Sequence, residues 1–314
     1  MGGPRAVGID VGGTKCLGVA LDGSGSVVAE HRVATPDGAE AVLDAVAGVA
    51  TALGCAPGWT MGLGMPGLVD AQGSLAFAAN LPGVFDLPVR AALERRLAGV
   101  AVTVDNDANC AAWAEHRLGA ARGSSHVVMA TLGTGIGGGV VSDGRLVRGA
   151  HGFGGEIGHM VVDPAGPVCP CGQRGCWERF ASGDALGRMG REAAAGGGAF
   201  RVLELAGGDP PAVRGEHVTR AAAEADGDAL ELLGQFAWWL ALGLANLANL
   251  LDPERFVIGG GLVEAGELLL APARDAFGGL LQGSGHRPPP PIVGAVMGEY
   301  AGAVGAALLG AGSP

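Results

Sequence analysis

The sequence is almost without lysine. Of its 20 basic residues only Lys15 is a lysine, and the others are arginines. No Gly-Lys-Ser or Gly-Lys-Thr occurs anywhere, which excludes a Walker A phosphate loop. A surplus of positive charge is also missing. The formal net charge is −11, so the chain lacks the basic footprint of a broad nucleic-acid surface, and no nucleic-acid partner is expected. A nucleotide is not excluded, because it needs local amide donors and a metal ion rather than global charge. Charged residues amount to 16% against 48% hydrophobic ones, which argues for a sizeable core and against disorder. The opening MGGPRAVGIDVGGTK has no apolar run of the secretory type, so a cytoplasmic location is expected.

One segment, Ala229 to Leu251, is nearly long and apolar enough to cross a bilayer. It carries Glu231, Gln235, Asn246 and Asn249, and reads as a helix buried between layers, with no membrane partner. The 314 residues suggest two domains at roughly 150 residues each. Strands are expected at AVGID, KCLGVALDG and SVVAEHRVA, a helix over about Gly38 to Leu53, an apolar run MGLGMPGLVD, a helix over Leu87 to Leu97, and a strand VAVTVD ending at Asn106. This alternation predicts an α/β class.

The opening pattern then recurs. Val128 to Gly144 can be laid on Val7 to Gly23, so that Gly12 meets Gly133, Gly18 meets Gly139, Val19 meets Val140, Asp22 meets Asp143 and Gly23 meets Gly144. Each copy reads as strand, glycine turn, strand, Asp-Gly turn. Taken as a repeat, this implies two similarly built lobes that put glycine hairpins toward a shared cleft. The break is expected near Gly119 to Ser124. That gives a small α/β lobe over 1–118, joined by a C-terminal helical segment 299–314, and a large lobe over 119–298.

Five stretches carry chemistry. In Asp10-Val-Gly-Gly-Thr-Lys15, Gly12 and Gly13 let the backbone approach a ligand, Thr14 can donate to a phosphate oxygen, and Asp10 can hold hydrated Mg2+. Lys15 suits a point charge near phosphate, or is simply the one lysine the chain has. The second turn, Leu132 to Gly139, contains G-x-G-x-x-G as Gly133, Gly135 and Gly138. A strand rather than a helix follows, which argues against a dinucleotide fold and for a phosphate-cradling hairpin that includes Thr134 and Gly137. Val104-Asp-Asn-Asp-Ala-Asn109 ends a strand and opens a helix. Asp105 or Asn106 is a candidate helix cap there, and Asp107 the carboxylate that orients an alcohol and accepts its proton. Phe256 to Leu262 is a strand followed by a glycine turn, Gly259, Gly260 and Gly261, of a kind that suits an adenosine or its phosphates.

The remaining stretch runs from His151 through Glu156 and His159 to Cys169, Cys171, Cys176 and Glu178. Three clustered cysteines and an upstream histidine offer three sulfurs and one nitrogen, a donor set of the structural zinc type. The ion would fix both loops, so that Glu156 and Glu178 could meet vicinal sugar hydroxyls. Cys16, Cys55 and Cys110 are scattered and read as small core residues.

DVGGTK, VDNDAN, LGTGIGGG, GGEIGH, CPCGQRGCWE and IGGGL together, in this order, resemble the ROK (repressor, open reading frame, kinase) family over nearly the whole chain, and its glucokinases most closely. The resemblance implies an actin- and hexokinase-like fold of two lobes with a cleft between them (ribonuclease H-like). It also implies transfer of the ATP γ-phosphoryl group to a hexose 6-hydroxyl, glucose first among candidates. It makes Asp107 the base, and makes Asn106, Glu156, His159 and Glu178 sugar contacts, with Gly67 and Asn80 as further candidates. His159, Cys169, Cys171 and Cys176 become the zinc ligands. A homo-oligomer, dimer or tetramer, is expected. The family's repressors carry an added N-terminal DNA-binding domain, for which no room is expected ahead of Asp10. Family members often have Glu where this chain has Asp105, a change expected to matter little. The alternatives are a kinase of the same family for N-acetylglucosamine, N-acetylmannosamine, fructose or mannose, a polyphosphate-using kinase, or a sugar sensor without turnover.

Overall fold

The computed structural model describes residues 6–312. Residues 1–5 and the last two residues of the expected 299–314 segment lie outside the described residues.

The chain opens with β1 (Ala6–Val11), β2 (Lys15–Leu21), β3 (Val27–Ala34) and α1 (Ala39–Ala52). There follow β4 (Thr60–Met65), the short strands β5 (Leu68–Val69), β6 (Leu75–Phe77) and β7 (Phe85–Leu87), then α2 (Val89–Arg96), β8 (Ala101–Asn106) and α3 (Asp107–Arg117). Next come β9 (Val127–Leu132), β10 (Ile136–Ser142), β11 (Arg145–Leu146), α4 (Glu178–Ala181), α5 (Gly183–Ala195), α6 (Phe200–Leu205), α7 (Gly215–Ala223) and α8 (Gly227–Leu251). The chain closes with β12 (Arg255–Gly259), α9 (Glu267–Leu280), β13 (Ile292–Gly294) and α10 (Ala301–Gly310).

These elements form two compact units. Unit 1 is Met1–Ser125, Gly139–Gly155 and Val296–Pro314; unit 2 is His126–Gly138 and Glu156–Ala295. The two five-stranded sheets have the same order in space, β3-β2-β1-β4-β8 and β11-β10-β9-β12-β13, with β10 divided between the units at Gly138. In the first, β1 pairs antiparallel with β2 and parallel with β4, which pairs parallel with β8. In the second, β12 pairs parallel with both β9 and β13. The shared order supports the internal repeat read from the glycine spacing. The copies differ at the expected Asp-Gly turns. Asp143 and Gly144 have φ of 51° and 70° and join β10 to β11 as a two-residue hairpin turn. Asp22 instead folds a longer loop, its Oδ1 accepting from the Ser24 and Ser26 amides.

The core of unit 1 forms because β1 and β4 run as buried apolar strands, β8 adds Val102 and Val104, and α1 turns Val42, Val46 and Val49 to one side at helical spacing. Its other helical layer includes α10, whose sequence AGAVGAALLG is small for a visible reason. A Cβ at Gly8 would overlap the Ala303 carbonyl, one at Gly62 the Ala306 carbonyl, and one at Gly305 the Cys110 carbonyl. Helix and sheet backbones thus approach too closely for side chains on these positions. The apolar run MGLGMPGLVD supplies β4 and breaks after it at Pro66-Gly67, where Gly67 takes φ 92° and leaves no room for a Cβ beside the Phe77 carbonyl.

In unit 2 the long apolar segment is α8, started by Asp226, whose side chain accepts from the Ala229 amide at 2.9 Å. Leu232, Leu233, Phe236, Leu240, Leu244 and Ala248 are buried, while Glu231, Gln235, Asn246 and Asn249 are exposed. α8 is the core helix of unit 2, with its polar residues on the outer face. The glycine turn at 259–261 opens first onto a 3-10 turn, Gly261–Ala265, and then onto α9.

Candidate functional site

The acid-bearing end of β8 is built by its own hydrogen bonds. Asn106 is the N-cap of α3, its Oδ1 accepting from the Ala108 and Asn109 amides at 2.8 and 3.1 Å. Its Nδ2 donates to the Gly67 carbonyl at 3.1 Å. Asp105 does not cap. Its Oδ1 accepts from the Asn106 amide and Asn109 Nδ2, and its Oδ2 from Arg148 Nε at 2.6 Å. Asp107 therefore stands on the first turn of α3. The structure brings Gly67 to Asn106. It places Asn80 elsewhere, on an exposed turn beside Gly13.

Asp10, the penultimate residue of β1, lies next to this acid. Burial, and then the Asp107 carboxylate, push its carboxyl up to about 7, with Lys15 opposing. Its Oδ1 is buried and, among the described residues, meets no hydrogen-bond donor. Gly64 and Gly302 flank the carboxylate, and a Cβ on Gly302 would press into it. A buried orphan carboxylate oxygen, a second carboxylate nearby and space kept by glycine fit a hydrated divalent cation. The Gly12 amide donates to the Lys15 carbonyl and closes the expected turn, with Thr14 exposed within it. Lys15 Nζ lies 2.5 Å from Glu299, which also takes Arg32 Nη2 at 3.0 Å, so the lone lysine is held in an ion-pair triad.

In unit 2 the Gly133 amide donates to the Gly135 carbonyl, forming the expected glycine hairpin, and the Gly133 carbonyl accepts from the Gly183 amide at 2.7 Å. Gly137 and Gly138 continue it into β10. The hairpin borders a cavity of about 660 Å³ inside unit 2. Gly133, Thr134 and Gly261 line one part of it. Asp184 and Arg191 of α5, Glu216 and Arg220 of α7, Arg214 just before it, and Leu268 of α9 complete the wall. None of these six was anticipated, since no local motif marks them. Gly260 has φ 80° and sits against the Leu132 backbone, so its role is close packing of the two turns.

The cysteine motif folds into a knuckle. Val161 bridges Cys176, Val168 bridges Arg174, and Gly172 and Gly175 turn with φ of 92° and 74°. His159, Cys169, Cys171 and Cys176 bring their ligand atoms within 4.8 Å of one another. Cys171 Sγ lies 3.6 Å from Cys176 Sγ, and Cys169 Sγ 3.8 Å from His159 Nδ1. A tetrahedral ion with sulfur bonds of about 2.3 Å needs edges of about this length, so the set fits a metal. His159, not His151, belongs to it. His151 instead gives its carbonyl to the Ala71 amide in unit 1. His159 Nε2 faces Glu156 at 4.0 Å, and Glu178 Oε1 lies 3.0 Å from Cys169 Sγ and 3.9 Å from His159 Nδ1. Burial pushes the Glu156 carboxyl up; His159 opposes this and Glu178 adds to it. Trp177, fully buried, locks the knuckle to α8: its Nε1 donates to the Trp239 carbonyl at 2.8 Å, and its ring fills the space above Gly243. Cys16 and Cys110 are buried and Cys55 half-buried, all apart from this cluster.

Three comparisons bear on this arrangement. The ROK family profile matches residues 6–312. Glucokinase from Streptomyces coelicolor is 38% identical over 308 residues, 96% of either chain, and glucokinase from Thermotoga maritima is 36% identical over 277 residues, 86% of either chain. The crystal structure of a ROK family glucokinase from Streptomyces griseus in complex with glucose and AMPPNP aligns at a TM-score of 0.87 and 38% identity, covering 97% of this chain and 98% of that one. By sequence and by its actin- and hexokinase-like α/β fold, this chain belongs to the ROK family.

Proposed function

We propose that the protein is a cytoplasmic glucokinase, transferring the γ-phosphoryl group of ATP to the 6-hydroxyl of glucose. The observation that carries this is the Asn106–Asp107 strand end, a carboxylate fixed at a helix start beside a buried, unpartnered Asp10 oxygen, in a chain similar to glucokinases along 96% of its length.

Asp107 orients the 6-hydroxyl and takes its proton as the bond to phosphorus forms. Asn106 and the Gly67 turn hold one part of the sugar. Glu156, His159 and Glu178 offer further sugar contacts, as does Asn80. Gly12, Gly13, Thr14 and the Gly133–Gly138 hairpin offer backbone and hydroxyl donors to the phosphates. The nucleoside lies in the unit 2 cavity, against Gly261 at the end of the Gly259–Gly261 turn, with Gly259 and Gly260 shaping that turn from behind. Its arginines already have acid partners: Arg191 lies 3.7 Å from Asp184, Arg214 2.5 Å from Glu216 and Arg220 3.8 Å from Glu224. That favours a nucleoside over a polyphosphate tail. Asp10 would hold Mg2+, which when bound neutralises charge on the transferring phosphoryl group. The four-residue cluster would hold a structural Zn2+ through His159, Cys169, Cys171 and Cys176, with no position left over for catalysis.

Asp107→Asn keeps the size of the side chain and removes its basicity. Turnover should fall on the order of 10²–10⁴-fold, with glucose affinity, read by tryptophan fluorescence, little changed. Near-normal turnover would make Asp107 a structural residue. A panel of hexoses and N-acetylhexosamines with ATP, scored by ADP release, should rank glucose first.

A further inference from the structure

Asp105 occupies the position next to Asn106 and Asp107 without touching the reaction. It is 6% exposed. A carboxylate so buried is stable as an anion only when its oxygens are met by donors, and best by a cation. Oδ1 meets the Asn106 amide at 2.8 Å and Asn109 Nδ2 at 2.9 Å. Oδ2 meets Arg148 Nε at 2.6 Å. The first of these bonds holds the backbone of the sugar-contacting Asn106, and the second reaches one turn into α3. The third ties both to a segment 43 residues away in sequence.

That segment is moored by its backbone. The Arg148 carbonyl accepts from the Gly154 amide at 2.9 Å, closing a loop. The His151 carbonyl accepts from the Ala71 amide at 2.9 Å, and Gly152, at φ 98°, lies too close to Asp70 and Ala71 for a Cβ. The loop cannot follow if β8 shifts. Its side-chain hold on β8 is Arg148.

We propose that Arg148 is a positioning residue for phosphoryl transfer: acting through Asp105, it fixes the end of β8 so that Asp107 meets the acceptor hydroxyl at the right distance. The inference rests on the reading of Asp107 as the base. It also gives a meaning to aspartate at position 105, since the shorter side chain still receives the guanidinium at full hydrogen-bond contact. Loss of Arg148 leaves a buried anion beside Asn106, and the strand end must move to hydrate it.

The test uses the full-length enzyme, assayed with glucose and ATP, with Arg148→Met, Arg148→Lys and the pair Arg148→Met/Asp105→Asn. Arg148→Met should lower kcat about 10- to 100-fold, the effect of a small misplacement at a reacting centre, with the KM for ATP within about twofold. Arg148→Lys should recover part of the loss by restoring a cation. The double variant should recover part as well, because the amide no longer needs one. A purely structural role would lower the melting temperature and leave kcat unchanged. Arg148→Met at wild-type kcat, or equal loss in all three variants, would overturn the proposal. If Arg148→Met does not fold, Arg148→Lys and Asp105→Asn alone decide: both at wild-type kcat would also overturn it. Failure of the base reading shows separately, as an Asp107→Asn variant with near-normal turnover.

Discussion

The acid end of β8 and the cysteine knuckle both present carboxylates, and they are held by opposite means. At the end of β8 the side chains find their partners within the chain: Asn106 caps a helix, and Asp105 takes three donors. In the knuckle, three thiols and an imidazole crowd within 4.8 Å, and Glu178 lies against one of the thiols. Thiols are weak donors and weaker acceptors, so this crowding is not stable on hydrogen bonds alone. The first site is organised by the polypeptide, and the second calls for an ion.

Removing the ion should therefore break one site and spare the other. Purified protein should contain about one zinc per chain by metal analysis, as one set of three thiolates and an imidazole requires. Cys171→Ser should lower glucose affinity by about tenfold or more, because the ligands hold the loops that bear Glu156 and Glu178. Fluorescence titration would measure this. Active protein without zinc would defeat the contrast.

A second difference concerns pH. The Asp10 carboxyl is raised from 3.8 to about 7. The folded state then binds a proton that the unfolded state has released, so Asp10's contribution to stability falls as pH rises from about 4 to about 7. In magnesium-free buffer the protein should melt at a lower temperature at the upper end of this window. Asp10→Asn should flatten that dependence and abolish stabilisation by Mg2+. A slope unchanged in Asp10→Asn would show that Asp10 is not the group responsible.

The smallest effect expected sharpens the comparison through packing. Gly243→Ala pushes a methyl into the Trp177 ring and should cost about 1–3 kcal/mol by overpacking, seen in denaturant melts. It should weaken glucose binding through Glu178 while leaving Asp107 untouched. Unchanged glucose affinity would mean that the knuckle does not depend on α8.

How much of this could be read from residues alone depends on distance along the chain. The glycine turns, the strand-end acids and the cysteine set are local: a few adjacent residues must have particular shapes or ligand atoms, so the motif is visible where it stands. The polar residues on the outer face of α8 were legible for the same reason, as a break in an apolar run. Pairings over long separations were not. Nothing near Lys15 announces Glu299, and nothing near Asp105 announces Arg148. The cavity wall of Asp184, Arg191, Glu216 and Arg220 comes from two helices whose surface charges look ordinary in sequence. Gly67 stands among the sugar candidates, but the bond its carbonyl accepts from Asn106 Nδ2 and its positive-φ backbone appear only in three dimensions.

The fit of α10 against β1, β4 and α3 has a consequence in time. The first strands of unit 1 leave the ribosome early, yet the helix that covers them is made only after all of unit 2. Until then Gly8, Gly62 and the Cys110 backbone have no helix packed over them, and the Asp10 carboxylate lacks one of its walls. Folding during synthesis cannot simply proceed from the N-terminus. Unit 2 can close on itself while the chain is still growing, and the half that carries Asp107 must wait for the last helix to arrive.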